Sequence, residues 1–371
     1  LLVQTANHMI TVSRMSKEQG LDIPLLIGGA AVTPRHSAFV AMMGQEDLNQ
    51  IRPDVFFCRT AMDAVNVMNQ LVSSSESREK MLHQNREALK QRYLQATKRI
   101  QTNEQKLKEL PRRIIPKQYP QYPEKPRFRC NLFRMPLSEF TPYINKRNIF
   151  LLNWKFGDKT RQEKAGHSSE ELEVLFQKWI SIAEKNQWIE PQGIYGLFPA
   201  KSDGDSVLVY DPDNTNKLLG KIEFTVIIGA GGKDIVSGAQ YFRSVNDNEW
   251  DVVGLQVATA GPNIQQGLEL LKEQGDNEGY LLLQGLGDRI AEDTAEYIHN
   301  YMRDLLHIPQ GQGIRWSPCY PGMANLMMNK TILDILSGGK SVGVTVLESG
   351  QLFPTCTTAA VVSFHHEAKY T

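Results

Sequence analysis

The 371-residue chain carries 41 basic and 41 acidic side chains, so no net field draws it to nucleic acid or to an anionic membrane. Its four cysteines (Cys58, Cys130, Cys319, Cys356) form neither a CxxC pair nor a zinc-ligand spacing, which fits a reducing, cytoplasmic setting. No signal peptide or membrane-length apolar run is present, and the length predicts two or three domains.

Residues 1–74 read as α/β. Met9, Val12 and Met15 have helical spacing that ends at Gly20. Ile23-Pro24-Leu25-Leu26-Ile27 is a short apolar run stopping at Gly28-Gly29, the pattern of a buried parallel strand and a tight turn. A helix is predicted from Pro34 to Met43, a strand over Asp54–Phe57 and a helix from Ala61 to Leu71. This alternation is part of a doubly wound domain. Ligands of such sheets lie beyond the strand carboxyl ends, here Gly28-Gly29 and Arg59-Thr60. The chain opens on Leu-Leu-Val directly in periodic sequence and reads as a fragment of a longer protein.

Residues 75–110 are highly polar, with one narrow stripe of Leu82, Leu89, Tyr93, Ala96, Ile100 and Leu107. The spacing predicts one long helix with a single packing seam and a solvated basic face. Pro111, Pro116, Pro120, Pro123 and Pro126 then predict an extended stretch, so residues 75–130 are expected to form a helical and proline-rich linker.

Residues 131–371 read as a second domain of α+β character. Helices are predicted at Glu170–Asn186, Ile264–Gln274 and Leu286–Leu306. Strands are predicted at Gly193–Phe198, Ser206–Tyr210, Ile222–Ile228, Val252–Thr259 and Ser341–Val346. Helices and strands do not alternate strictly, which favours a mainly antiparallel sheet with flanking helices.

Several motifs invite chemistry. Gly229-Ala230-Gly231-Gly232-Lys233 lacks the spacing of a phosphate loop and is followed by Asp234 rather than Ser or Thr, so a hairpin or loop is expected. Glu296-x-x-His299 on a predicted helix has no second copy, so no metal site is assigned. The same helix carries Asp288 and Glu292, carboxylates placed to edge a cleft and receive an ammonium group. His365 and His366 have no nucleophile or carboxylate partner at a known spacing, and packing or surface roles are expected. Arg315, in Ile314-Arg315-Trp316-Ser317-Pro318-Cys319-Tyr320-Pro321, offers a planar fork that grips a carboxylate through two parallel hydrogen bonds. Tyr320, five positions on, supplies a ring for a flat base or a cation.

Taken in order, these segments resemble the C-terminal part of the cobalamin-dependent methionine synthase family. Ile23 to Ala30 resembles its IPLLIGGA strand and turn. Tyr143-Ile144-Asn145 with Trp154 resembles the start of its activation domain, and Gly196 to Ala200 its GLFPA segment. Asp288 to Glu292 with Ala295-Glu296-Tyr297 resembles its DRLAE…AEY helix. Gly313-Ile314-Arg315 with Pro318 and Tyr320-Pro321 resembles its GIRPAPGYP motif, and Glu348-Ser349-Gly350 with His366-Glu367-Ala368-Lys369-Tyr370 resembles its ending. The resemblance covers nearly the whole chain.

It implies a partial flavodoxin-like cobalamin-binding segment (1–74), the linker (75–130) and an S-adenosylmethionine-binding activation domain (131–371). The implied activity is a methyltransferase reaction, the reductive methylation of cob(II)alamin to methylcobalamin, with flavodoxin or a flavoprotein reductase as electron donor. On this reading Arg315 grips the methionyl carboxylate and Glu292 the ammonium or ribose end. Tyr320 and Tyr370 shape the pocket, and Asn145 and Thr371 complete it. Thr5, Gly28, Gly29 and Thr60 match positions near the cobalamin tail. No residue is assigned acid–base or nucleophilic catalysis. The axial-histidine motif DxHxxG, the folate module and the homocysteine module with its zinc are expected upstream.

The chain departs from the family where Asn145 replaces an aspartate, Cys319 a glycine and Thr371 a tyrosine. Phe224 to Val236 is also a Gly-rich replacement. Asn145, Cys319 and Thr371 favour an alternative of another class, a non-catalytic module that caps or docks on a corrinoid protein.

Overall fold

A computed structural model describes residues 3–28, 32–123, 130–156 and 168–368. The chain divides into two compact units, Leu1–Leu110 and Pro111–Thr371.

The first unit contains α1 (Val3–Glu18), β1 (Leu25–Gly28), α2 (Pro34–Met42), β2 (Val55–Cys58), α3 (Ala61–Ser73) and α4 (Ser75–Glu109). β1 and β2 pair in parallel, Leu25 opposite Val55. Local chemistry sets the helix starts. The Thr33 side chain accepts the His36 N–H ahead of Pro34, and Thr60 forms a capping box with Asp63. The seam of α4 packs against α2 and α3, and its buried Leu89 joins Ala38, Val40, Ala41, Ile51 and Val55. Asn85 donates to the Pro53 and Val55 carbonyls at 2.7 and 2.9 Å. The long helix is therefore part of this unit's core, and the chain divides after Leu110.

The described part of the proline-rich stretch, residues 111–123, belongs to the second unit. Arg113 N–H donates to the Ile235 carbonyl at 2.8 Å, and its guanidinium holds Asp234 at 2.8 and 2.9 Å. Tyr122 Oη donates to buried Asp251 at 2.7 Å. These backbone and side-chain anchors fix Arg113 and Tyr122, which proline content alone reads as linker.

The second unit is built on a seven-stranded sheet. Its strands are β3 (Asn131–Arg134), β4 (Gln192–Asp203), β5 (Ser206–Tyr210), β6 (Leu218–Glu223), β9 (Asp251–Thr259), β10 (Ile314–Trp316) and β13 (Thr357–Ser363). The order is β10-β13-β9-β4-β5-β6, and β3 also pairs with β4. Every pairing in this sheet is antiparallel. Two-residue strands β7 (Ile227–Ile228) and β8 (Ile235–Val236) form a separate hairpin around the Gly229–Asp234 turn. Another such pair is β11 (Thr345–Val346) with β12 (Leu352–Phe353).

The helices flanking this sheet are α5 (Ser169–Lys185), α6 (Ile264–Glu273), α7 (Asn277–Leu305) and α8 (Met328–Leu336). β4 and β9 are buried along nearly their whole length because both faces are covered. Ile194 and Phe198 of β4 enter one core with Ile332, Ile335 and Trp316, while Tyr195 and Leu197 enter the opposite core with Ile298 and Met302 of α7. A third cluster joins α5 (Phe176, Trp179) to the first half of α7 (Leu282, Leu286, Ile290).

Two predicted strands differ from the structure. Ile222–Ile228 is broken because Thr225 leaves the sheet: its N–H donates to Gly322 O, and its Oγ1 accepts from Ala324 N, both at 2.9 Å. Ser341–Val346 resolves into a 3-10 turn (Gly339–Val342) and β11, with Gly343 at φ +65° between them.

Candidate functional site

The site grows from the edge strand β10 and the face of α7 beside it. Ile314 and Trp316 point into the core, where Trp316 stacks on Tyr241 and meets Phe224 edge-on. Side chains alternate along a strand, so Arg315 emerges on the opposite face. Its Nη2 lies 3.2 Å from Glu296 Oε2 and 3.9 Å from Glu292 Oε2. Glu292 and Glu296 are one turn apart on α7, where like charges repel, and the guanidinium between them relieves that repulsion. Both carboxylates are over a third exposed, so the pairing contributes at most about 1 kcal/mol to stability.

Gly313 aims the strand. Its φ is +78°, and an added Cβ would lie 2.2 Å from the Ser363 carbonyl oxygen, where only glycine fits. After the strand, Cys319 N–H donates to Met323 O and Met323 N–H to Tyr320 O, both at 2.8 Å, closing a turn that Thr225 braces from outside. Cys319 adopts φ +79°, so a side chain is tolerated at the position where the resemblance expects glycine, at the cost of backbone strain. Tyr320 is 57% exposed. Its phenol pKa is raised above the ordinary value by desolvation first and by the charge of Glu292 next.

Asn145 joins the same helix by a route its sequence does not signal. Its backbone N–H donates to buried Asp293 Oδ2 at 2.8 Å, and its side-chain oxygen accepts the Asn148 N–H at 3.1 Å as a helix cap. Arg289 holds the other Asp293 oxygen at 2.9 Å. Two residues earlier in the chain, Tyr143 packs edge-on against Tyr297 of α7 at 4.9 Å. Arg315 thus lies against Glu292 and Glu296 of α7, and the backbone of Asn145 against Asp293 of the same helix. Tyr370 and Thr371 lie outside the described residues.

Sequence reading missed Asp293 as the anchor of the 145 segment and Arg303 as a support. Arg303 is 4% exposed and its Nη1 is 3.5 Å from Glu296 Oε1. The signal was present in the recurrence of Arg289, Asp293, Glu296, Asn300 and Arg303 at helical spacing. His299, from the Glu-x-x-His pattern, is 2% exposed, and its Nε2 has no hydrogen-bond partner among the described residues. Burial, with Arg303 and Arg315 next, lowers its pKa to about 2, so the ring stays neutral. His365 is also buried. Its Nδ1 accepts the Glu367 N–H at 3.1 Å, which leaves Nε2 as the donor to the Pro116 carbonyl at 3.0 Å. Among the described residues, no group of three or more His, Cys, Asp or Glu side chains is placed to hold a metal ion.

In the first unit, Gly28 and Thr60 have local structural explanations. A Cβ on Gly28 would lie 2.2 Å from the Cys58 carbonyl of the paired strand, and the Thr60 hydroxyl accepts the Asp63 N–H at 3.2 Å. Thr5 sits within α1, and Gly29 lies outside the described residues. No described helix is long and apolar enough to cross a membrane.

The similarities to known proteins fall on this architecture. Over 94% of its length the chain is 24% identical to the methionine synthase of Mycobacterium leprae (strain TN), covering 31% of that protein. The methionine synthase of Mycobacterium tuberculosis (strain ATCC 25618 / H37Rv) is likewise 24% identical over 94% of the chain, which covers 32% of it. The chain therefore spans about a third of the length of these relatives. A crystal structure of the MetH reactivation domain bound to AdoHcy shares the fold, with a TM-score of 0.61 and 21% identity, covering 72% of this chain and 87% of that one. Residues 136–371, which hold the whole Arg315 site, match the profile of the vitamin B12 dependent methionine synthase activation domain, and the chain belongs to that family.

Proposed function

We propose that this chain binds S-adenosylmethionine along α7 and serves the reductive methylation that returns inert cob(II)alamin to methylcobalamin. The observation that carries this reading is Arg315, held between Glu292 and Glu296, with Tyr320 in the turn that follows its strand. The donor set matches the ligand's chemistry. A planar guanidinium grips the methionyl carboxylate in two parallel bonds, and the looser Glu292 receives the ammonium group. The exposed Tyr320 ring flanks the adenine or the sulfonium.

The reaction takes cob(II)alamin as substrate. One electron, from a flavodoxin or flavoprotein reductase, and the sulfonium methyl give methylcobalamin and S-adenosylhomocysteine. The chain's own residues hold the methyl donor in one orientation, and proximity rather than acid–base chemistry supplies the acceleration. Cobalamin enters this reading from the family. In the first unit, the flavodoxin-like cobalamin-binding role of residues 1–74 rests on the family resemblance beside the parallel β1–β2 pair, and no step is assigned there.

Equilibrium titration of the 371-residue chain with S-adenosylmethionine and S-adenosylhomocysteine tests the proposal. Saturable binding of both supports it; a folded protein that binds neither at millimolar ligand overturns it. A second reading, a docking module for a corrinoid protein, is favoured by Asn145, whose side-chain oxygen is occupied by the Asn148 N–H. Binding to a corrinoid protein without affinity for either nucleoside would select it.

A further inference from the structure

Glu296 is not among the residues that the ligand's chemistry requires, yet among the described ion pairs it is the carboxylate nearest Arg315. It lies between two arginines, 3.2 Å from Arg315 Nη2 and 3.5 Å from Arg303 Nη1. Arg303 is buried and doubly anchored: its Nε donates to the Gln312 carbonyl at 2.8 Å and its Nη1 to Asn300 Oδ1 at 2.5 Å. Gln312 immediately precedes Gly313, where the chain turns into β10, and its own Nε2 donates to the Phe364 carbonyl at 2.9 Å. One buried arginine therefore locates both the strand that carries Arg315 and the carboxylate that orients its guanidinium. Glu292, at 3.9 Å, has no such support among the described ion pairs and remains the looser partner.

From this geometry we infer that Glu296 is a positioning residue that acts through Arg315. It holds the fork in the orientation that meets a carboxylate and so sets the site's preference for nucleosides bearing an amino-acid carboxylate. The inference rests on the S-adenosylmethionine reading above. Fixing the fork before binding removes rotamer entropy that would otherwise oppose a bidentate contact.

The test compares S-adenosylmethionine with its decarboxylated analogue, which keeps the ammonium and sulfonium but lacks the carboxylate. The ligands are titrated into the folded wild-type chain and the Glu296→Gln and Glu292→Gln variants. Glu296→Gln is expected to weaken S-adenosylmethionine about tenfold and the decarboxylated analogue less than about twofold, as expected for loss of one charge-assisted contact. Glu292→Gln is expected to weaken both ligands. A general structural disturbance would lower both affinities together, so parallel losses in Glu296→Gln, or no loss, overturn the assignment. Absence of wild-type binding overturns the functional reading itself and is distinguishable from either outcome.

Discussion

The Arg315 guanidinium on an edge strand lies 3.2 Å from the Glu296 carboxylate on the helix packed beside it. That contact joins two segments that sequence patterning treats separately, a three-residue strand and a long amphipathic helix. It is possible because Ile314 and Trp316 bury themselves on the other side of the strand, leaving Arg315 on the face where it meets Glu292 and Glu296 of α7.

The aim of that strand depends on Gly313. An alanine there would be held at φ +78° with its Cβ 2.2 Å from Ser363 O and 2.8 Å from Phe364 Cα, both backbone atoms. Gly313→Ala is predicted to destabilise the protein by about 2–4 kcal/mol, combining strain with displacement of the β10–β13 pairing. Denaturant unfolding measures this, and an unchanged midpoint would contradict the role given to the glycine.

Cys319 is the reverse case, a side chain where the backbone favours none. Left-handed backbone strain of about 1–2 kcal/mol is partly offset by the greater unfolded-state entropy of glycine, so Cys319→Gly is predicted to stabilise the fold by about 0.5–1 kcal/mol. Cys319→Val is predicted to destabilise it. Thermal melting of both variants beside the wild type checks the pair of signs.

His299 predicts a pH dependence. Its folded-state pKa is lowered from 6.5 to about 2 by burial, then by Arg303 and Arg315. Between those values the unfolded chain binds a proton that the folded chain refuses. Stability is therefore full above pH 6.5 and falls with acid, by up to about 1.4 kcal/mol per pH unit from this group. His365 and His36, also lowered by burial, add to the same limb. His299→Leu is predicted to flatten the limb without abolishing it, as read from unfolding midpoints between pH 7 and pH 5, roughly the window where an unfolded histidine protonates. An unaltered slope would show that the ring is not held neutral.

Much of this architecture was legible from residue patterns. β5 follows its short apolar, β-rich run and the helix over Ile264–Glu273 the 3.6-residue period of its sequence. α7 was predicted from Leu286 but begins at Asn277, capped by Asp276. Gly279, Gly285 and Gly287 argue against helix by propensity, and packing overrides them where Trp154 Nε1 donates to the Leu282 carbonyl at 2.9 Å. β13 was missed although it is central to the sheet, since its Thr357–Ser363 run is covered on both faces and shows no alternation of polarity. Arg315 and Glu292 stand out in the sequence as a carboxylate grip and an acidic acceptor, and the structure sets them 3.9 Å apart. The role of Asp293 was not, because it grips the backbone of Asn145, and a backbone partner leaves no mark on the sequence.

The most direct test of the account is a titration of S-adenosylmethionine into the full chain and its Arg315→Ala variant, with both confirmed as folded. The account predicts saturable wild-type binding that Arg315→Ala weakens by about 1.5–3 kcal/mol, the scale of a charged hydrogen-bonded contact. Equal affinity in the two proteins would remove Arg315 from the site and contradict the account.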